Sequence, residues 1–149
     1  MEIATMGRVV VPATIENIDD LYEVERGLRA RDSARSVQVP VALIDTGATA
    51  LSLPTRYIAA LGLRKHRQRT ARTPAGRVSF NIYYPVKLTV QGRDCFTEVC
   101  EVPDDCPVLI GQVPLEILDF VVDPVGQRLI GNPEHGGEQM IELYWTQHD

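Results

Sequence analysis

A chain of 149 residues, 44% hydrophobic and 23% charged, is sized for one compact domain with a real core and is too short for two ordinary ones. No apolar run approaches the roughly 18 residues of a membrane span, and the start, MEIATMGRVVVPATIENIDD, lacks the pattern of a secretory signal, so a cytoplasmic chain without membrane contact is expected. The net charge is −5, and three cysteines (Cys95, Cys100, Cys106), an odd count with neither zinc-site spacing nor a neighbouring His pair, argue for reduced structural thiols; no metal or other cofactor is expected.

Arg8 to Val11 is a short strand candidate. From Asn17 to Arg29, Ile18, Leu21, Tyr22, Val24, Glu25 and Leu28 fall near helical spacing behind Asn17 as a cap, which predicts an amphipathic helix. Arg29 to Arg35 is charged and aperiodic, a surface loop leading into the β-branched strand Ser36 to Ile44. Leu51 to Pro54 is a short strand, and Pro54 suits the start of a helix through Tyr57, Ile58 and Leu61 that Gly62 stops.

Val78, Phe80, Ile82, Tyr84, Val86, Leu88 and Val90 occupy every second position, predicting a long strand with one buried face. Thr73-Pro74-Ala75-Gly76 is a turn signature, so Lys65 to Arg72 should fold back along that strand as a hairpin. The basic run Arg64, Lys65, His66, Arg67, Arg69 and Arg72 reads as a solvated strand face; it lacks the interleaved aromatics of a nucleic-acid site, and no nucleic-acid partner is expected. Gln91-Gly92-Arg93 makes the next turn and Cys95 to Val102 the next strand.

Val108 to Ile110 is an apolar run ended by Gly111, ahead of a helix-like segment from Pro114 to Phe120. Val121 to Asp123 and Arg128 to Ile130 flank a Pro124-Val125-Gly126 turn as a second hairpin. Beyond the loop NPEHGG, Met140 to Trp145 is a last, largely apolar strand candidate. Short strands at close intervals predict an all-β domain over 1–149: an N-terminal strand and helical insert in 1–35, a core in 36–132, and a C-terminal segment in 133–149.

Ala42-Leu43-Ile44-Asp45-Thr46-Gly47-Ala48-Thr49 sets a carboxylate at the end of a buried strand, where an acid is costly unless hydrogen bonds hold it or it shares a proton with another acid. An Asx-type turn capped by Asp45 is the plain alternative. The ordered set of motifs resembles the retropepsins, the retroviral-type aspartic peptidases. Asp45-Thr46-Gly47-Ala48 after Leu43-Ile44 matches their active-site loop, the hairpin tipped by Pro74-Ala75-Gly76 stands where they carry a flap, and Val108-Leu109-Ile110-Gly111 precedes a helix as their second apolar-glycine element does. The likeness spans roughly Val39 to Asn132.

That resemblance implies a closed acid-protease barrel with one or two short helices, one lobe per chain, assembled as a two-fold homodimer acting on peptide or protein substrates. It makes Asp45 catalytic, lets Thr46 tie the two loops together and Gly47 pair with the substrate backbone, and assigns substrate contacts to Gly47, Thr49, Pro74, Ala75, Gly76 and Ile110. One Asp-Thr-Gly per chain means that the second carboxylate must come from another copy. Asp19-Asp20, Asp104-Asp105 and Asp123 sit where acids cap and solvate, and they are poor candidates for it. Thr49 and Gln112 replace an acid and an arginine of many viral members, implying a neutral pair in place of a charged one. Ala48 cannot donate to the ionised dyad, which implies only a mildly acidic optimum. The alternative within the fold is a peptide-binding or dimerisation module with negligible turnover.

Overall fold

A computed structural model describes residues 8–145, so the outermost ends of the N- and C-terminal segments lie outside the described residues. The described residues are mostly β, with nine strands: β1 (Val9–Asn17), β2 (Ser36–Ile44), β3 (Leu51–Pro54), β4 (Lys65–Thr73), β5 (Gly76–Val90), β6 (Arg93–Val102), β7 (Leu109–Ile110), β8 (Phe120–Asp123) and β9 (Arg128–Gly131). Seven form a mixed sheet in the order β1-β2-β7-β3-β6-β5-β4, while β8 and β9 pair as a separate hairpin. Residues 14–17 of β1 also pair with β5, so the hydrogen-bonded path from β1 through β2, β7, β3, β6 and β5 returns to its start. β4 hangs outside that path on β5 alone, with the exposed basic face expected of it.

Among the described residues three α-helices form rather than one or two: α1 (Ile18–Glu25), α2 (Thr55–Leu61) and α3 (Gln112–Leu118). The Asn17 side chain accepts from the Asp20 amide to cap α1, and its amide nitrogen reaches the Leu61 carbonyl at 2.7 Å, tying the start of α1 to the end of α2. α1 stops before Arg29 because the chain turns at Gly27, whose φ of +75° is costly for other residues. Pro54 and Gly62 bound α2 as their chemistry demands.

β1 outruns the Arg8–Val11 candidate because Pro12 falls opposite a bulge. The register moves from Val11 against Ala42 to Ala13 against Val39, leaving Pro40 and Val41 across from one proline. A ladder irregularity there absorbs the missing N–H. The single buried face expected of β5 is broken as well. Ile82, Val86, Leu88 and Val90 are buried, but Val78 lies on the projecting hairpin and Tyr84 falls in a register shift between Tyr83 and Val86, and both are exposed. Tyr84 stacks instead beneath Arg64 and beside His66.

The core lies inside the closed path, where Ile15, Leu51, Leu53, Leu61, Leu88, Ile110, Leu115 and Leu118 are almost fully buried. The strand expected over Met140 to Trp145 does not form; Ile141, Leu143, Tyr144 and Trp145 are exposed and in no regular element. Apolar composition alone cannot make a strand without an edge to pair with. No helix of the described residues is long and apolar enough to cross a membrane.

Candidate functional site

Asp45 leaves the end of β2 half-buried, and three backbone relations hold it. Its amide donates to the Ile110 carbonyl at 3.0 Å, its carbonyl accepts from the Ala48 amide at 3.0 Å, and its Oδ1 accepts from the Gly47 amide at 3.0 Å. The last bond is that of an Asx turn, and it also aims a fixed donor at the carboxylate. A Cβ on Gly47 would come within 3.2 Å of that Oδ1.

The loop beyond Asp45 is clamped by the chain that starts α3. Gly111, Gln112 and Val113 donate their amides to the carbonyls of Ala50, Ala48 and Thr49 at 3.0, 2.8 and 2.9 Å. The first amides of a helix lack partners within it, and here the loop satisfies them. Gly111 is required for this contact, since a Cβ would lie 2.6 Å from the Ala50 carbonyl oxygen and 2.8 Å from that of Ala48.

Beside the loop opens a cleft of about 720 Å³, walled by Ala48 and Thr49 on one side and by Thr73, Val78 and Phe80 of the β4–β5 hairpin on another. That volume falls within the range of small-molecule and peptide-side-chain sites. The hairpin tip is braced by Thr73, whose hydroxyl donates to the Gly76 carbonyl at 2.8 Å and accepts from the Ala75 amide at 3.2 Å. Gly76 has φ +114°, as the turn signature requires.

The expected site residues therefore divide. Ala48 and Thr49 line the cleft. Asp45, Thr46 and Gly47 precede them in the same loop and are not among the lining residues, with Thr46 and Gly47 exposed. Pro74, Ala75 and Gly76 form the exposed tip, and the residues just behind them make the wall. Ile110, expected to touch substrate, is instead fully buried, paired with Ile44 on one side and Leu51 on the other. Its place in a two-residue strand between β2 and β3 gives it a supporting position under Asp45. Gln112 sits next to the loop through its backbone, but its side chain bonds Glu116 at 3.2 Å rather than pairing with Thr49. Asp19, Asp20, Asp104 and Asp123 are each engaged by an arginine.

Residues that sequence reasoning passed over line the far wall. Glu101 accepts from Asn81 and Tyr83 on one oxygen, both at 3.0 Å, and from the Thr55 hydroxyl at 2.8 Å on the other. Gln68 extends the row, donating to Asn81 at 3.1 Å. Burial pushes the Glu101 pKa up, but these hydrogen bonds and the field of Lys65 outweigh it and hold the carboxyl below its ordinary value. Burial and the Glu101 bond raise the pKa of Tyr83 in turn. The available signal was that Asn81 and Tyr83 share the odd-numbered face of β5, opposite the apolar one. No protein-family model matches the chain, and no curated protein is significantly similar to it.

Proposed function

We propose that the protein is a retropepsin-like aspartic endopeptidase, its dyad built from Asp45 of two copies related by a two-fold axis. The single observation that carries this reading is the position of Asp45: the sole Asp-Thr-Gly of the chain follows a core strand and opens a loop whose next residues, Ala48 to Ala50, are locked by the backbone at the start of α3, with Ala48 and Thr49 lining a cleft walled by a braced hairpin. The ring of strands from β1 to β5 suits the closed acid-protease barrel, one lobe per chain. Exposed Val113 on α3, beside the loop, and exposed Ile141, Leu143, Tyr144 and Trp145 suit coverage by a second copy.

In this mechanism two facing carboxylates hold one proton between them. The ionised Asp45 takes a proton from water as it attacks the peptide carbonyl, and the protonated partner gives its proton to the carbonyl oxygen. Collapse of the tetrahedral intermediate breaks the C–N bond, with a proton delivered to the leaving nitrogen. The hairpin closes over an extended peptide and excludes water.

The test is hydrolysis of a denatured-protein peptide mixture across protein concentration, with Asp45→Asn alongside. The proposal expects Asp45→Asn to lose on the order of 10²–10⁴ in rate and specific activity to fall on dilution as dimers separate. Cleavage that persists in Asp45→Asn, or in a species of monomer mass, overturns it. Peptides bound but left intact by both proteins would favour the non-catalytic module, in which Asp45 serves as the turn cap that its bond from Gly47 describes.

A further inference from the structure

Of the residues lining the cleft beside the Asp45 loop, Glu101 is the single charged one. The others are small, hydroxylated, amide or apolar, so among the described residues the cleft presents one negative charge and no positive one. Glu101 is half-buried, and the row Gln68, Asn81, Glu101, Thr55 crosses from β4 through β5 and β6 to the start of α2.

Seven other carboxylates, Glu16, Asp19, Asp20, Glu23, Glu98, Asp104 and Asp123, each have an arginine within ion-pair distance. Among the described residues Glu101 has no such partner. It is held by three neutral donors, from Asn81, Tyr83 and Thr55. Lys65 acts on it only at longer range. A carboxylate has about four acceptor positions, so three donors fix its orientation and leave room for one more. An incoming ammonium or guanidinium would supply that donor and the counter-charge together.

We propose that Glu101 makes this cleft select peptides with a lysine or arginine side chain at the register position that reaches β6. This deepens the peptidase reading and rests on its assignment of the cleft as a peptide groove. Glu101 is then a specificity-determining residue, remote from the reacting atoms. A charge-assisted bond in a partly wet site gives a preference of about tenfold for a basic over an isosteric neutral side chain, weakened in molar salt.

The experiment selects peptides from a random synthetic library on Asp45→Asn, which should hold them uncut, and on Asp45→Asn combined with Glu101→Gln. Glutamine keeps the shape of Glu101 and can still accept from Asn81 and Tyr83 while donating to Thr55. The expected result is roughly tenfold enrichment of Lys and Arg at one position on the first protein, lost on the second. Thr55→Val in the Asp45→Asn background removes a donor but leaves the charge, and should retain the preference; a merely structural Glu101 would make it behave like Glu101→Gln. Equal peptide composition on the proteins with and without Glu101→Gln, or no retained peptide, overturns the inference. Hydrolysis by the wild type, followed in parallel, separates the two readings. Cleavage without basic preference sinks only this inference, whereas basic peptides retained through Glu101 but never cut sink only the peptidase.

Discussion

The amide of Gln112 donates to the carbonyl of Ala48 at 2.8 Å, so the third helix begins on the loop that carries Asp45. The bond couples two segments more than sixty residues apart in sequence. A helix start has amides to give, and a loop leaving a buried strand has carbonyls to satisfy. Each settles the other's unpaired groups, and the carboxylate gains a fixed mount.

Gly111→Ala should therefore damage the site more than its single methyl suggests. The added carbon would meet the Ala50 carbonyl oxygen at 2.6 Å and the Thr49 carbonyl carbon at 2.7 Å, both backbone atoms that cannot swing away. Overpacking of this kind costs about 1–3 kcal/mol. A denaturant midpoint lowered by that amount, together with reduced peptide hydrolysis, is expected; an unchanged midpoint would sink the clamp.

Asp20 ties the α1 helix to the segment ahead of β2, with its side chain 1% exposed and its oxygens taken by Arg35 at 2.7 and 3.0 Å and by the Arg35 amide at 2.9 Å. The side-chain bond from Arg35 is the main cause that lowers its pKa to about 2, against the opposing effect of burial. A folded value below the unfolded one gives stability that is present above the unfolded pKa and lost as pH falls through the folded one. Asp20→Asn should thus cost about 2 kcal/mol near neutral pH and progressively less below about pH 4. Equal cost at pH 7 and pH 3 in paired urea titrations would refute the linkage.

His135 links the body to the C-terminal segment. Its Nδ1 meets Asp119 Oδ2 at 2.6 Å and its Nε2 meets Glu142 Oε1 at 3.1 Å, while Asp119 also accepts from the Met140 amide at 2.9 Å. The bond to Asp119, then that to Glu142, raises the His135 pKa, and the bond from His135 is the largest cause lowering that of Asp119 to about 2. A raised folded value means the histidine's contribution is full below its unfolded pKa and vanishes as pH climbs past the folded one. Trp145, the single tryptophan, lies three residues beyond Glu142. Its fluorescence should change as pH rises from about 6 to 9, and His135→Gln should flatten the curve.

Thr73→Ala should separate the hairpin from the rest of the fold. It deletes both hydroxyl bonds at the tip while touching no core residue. Global stability should move by no more than about 1 kcal/mol, whereas amide exchange at Ala75 and Gly76 should quicken and KM for peptides should rise. Unaltered exchange at the tip would deny the hydroxyl its bracing role.

What could be read from the chain alone follows local chemistry. Ser36–Ile44 and Leu51–Pro54 appear with the boundaries expected, and Pro54 and Gly62 bound α2 as proline and glycine do by their own backbone preferences. The long-range features were hidden. Alternation along β5 could not reveal the register shift that turns Tyr84 outward, because a bulge depends on the partner strand. Residues 140–145, apolar but for Glu142, matched a strand pattern yet join no ladder, because strand pairing depends on a partner that no local pattern supplies. Ile110 matched a site motif, and only its pairing between Ile44 and Leu51 shows it buried.

By itself the sequence determined that a lone Asp-Thr-Gly ends an apolar strand in a mostly β fold, because hydrophobic period, turn residues and composition act through neighbours along the chain. Only the tertiary structure decided that Gly111 to Val113 grip the loop after Asp45 and that Glu101 stands in the adjoining cleft among three neutral donors. Those contacts join residues dozens of positions apart, and which distant polar groups meet is settled by how the strands are ordered in the sheet, a property that no local pattern encodes.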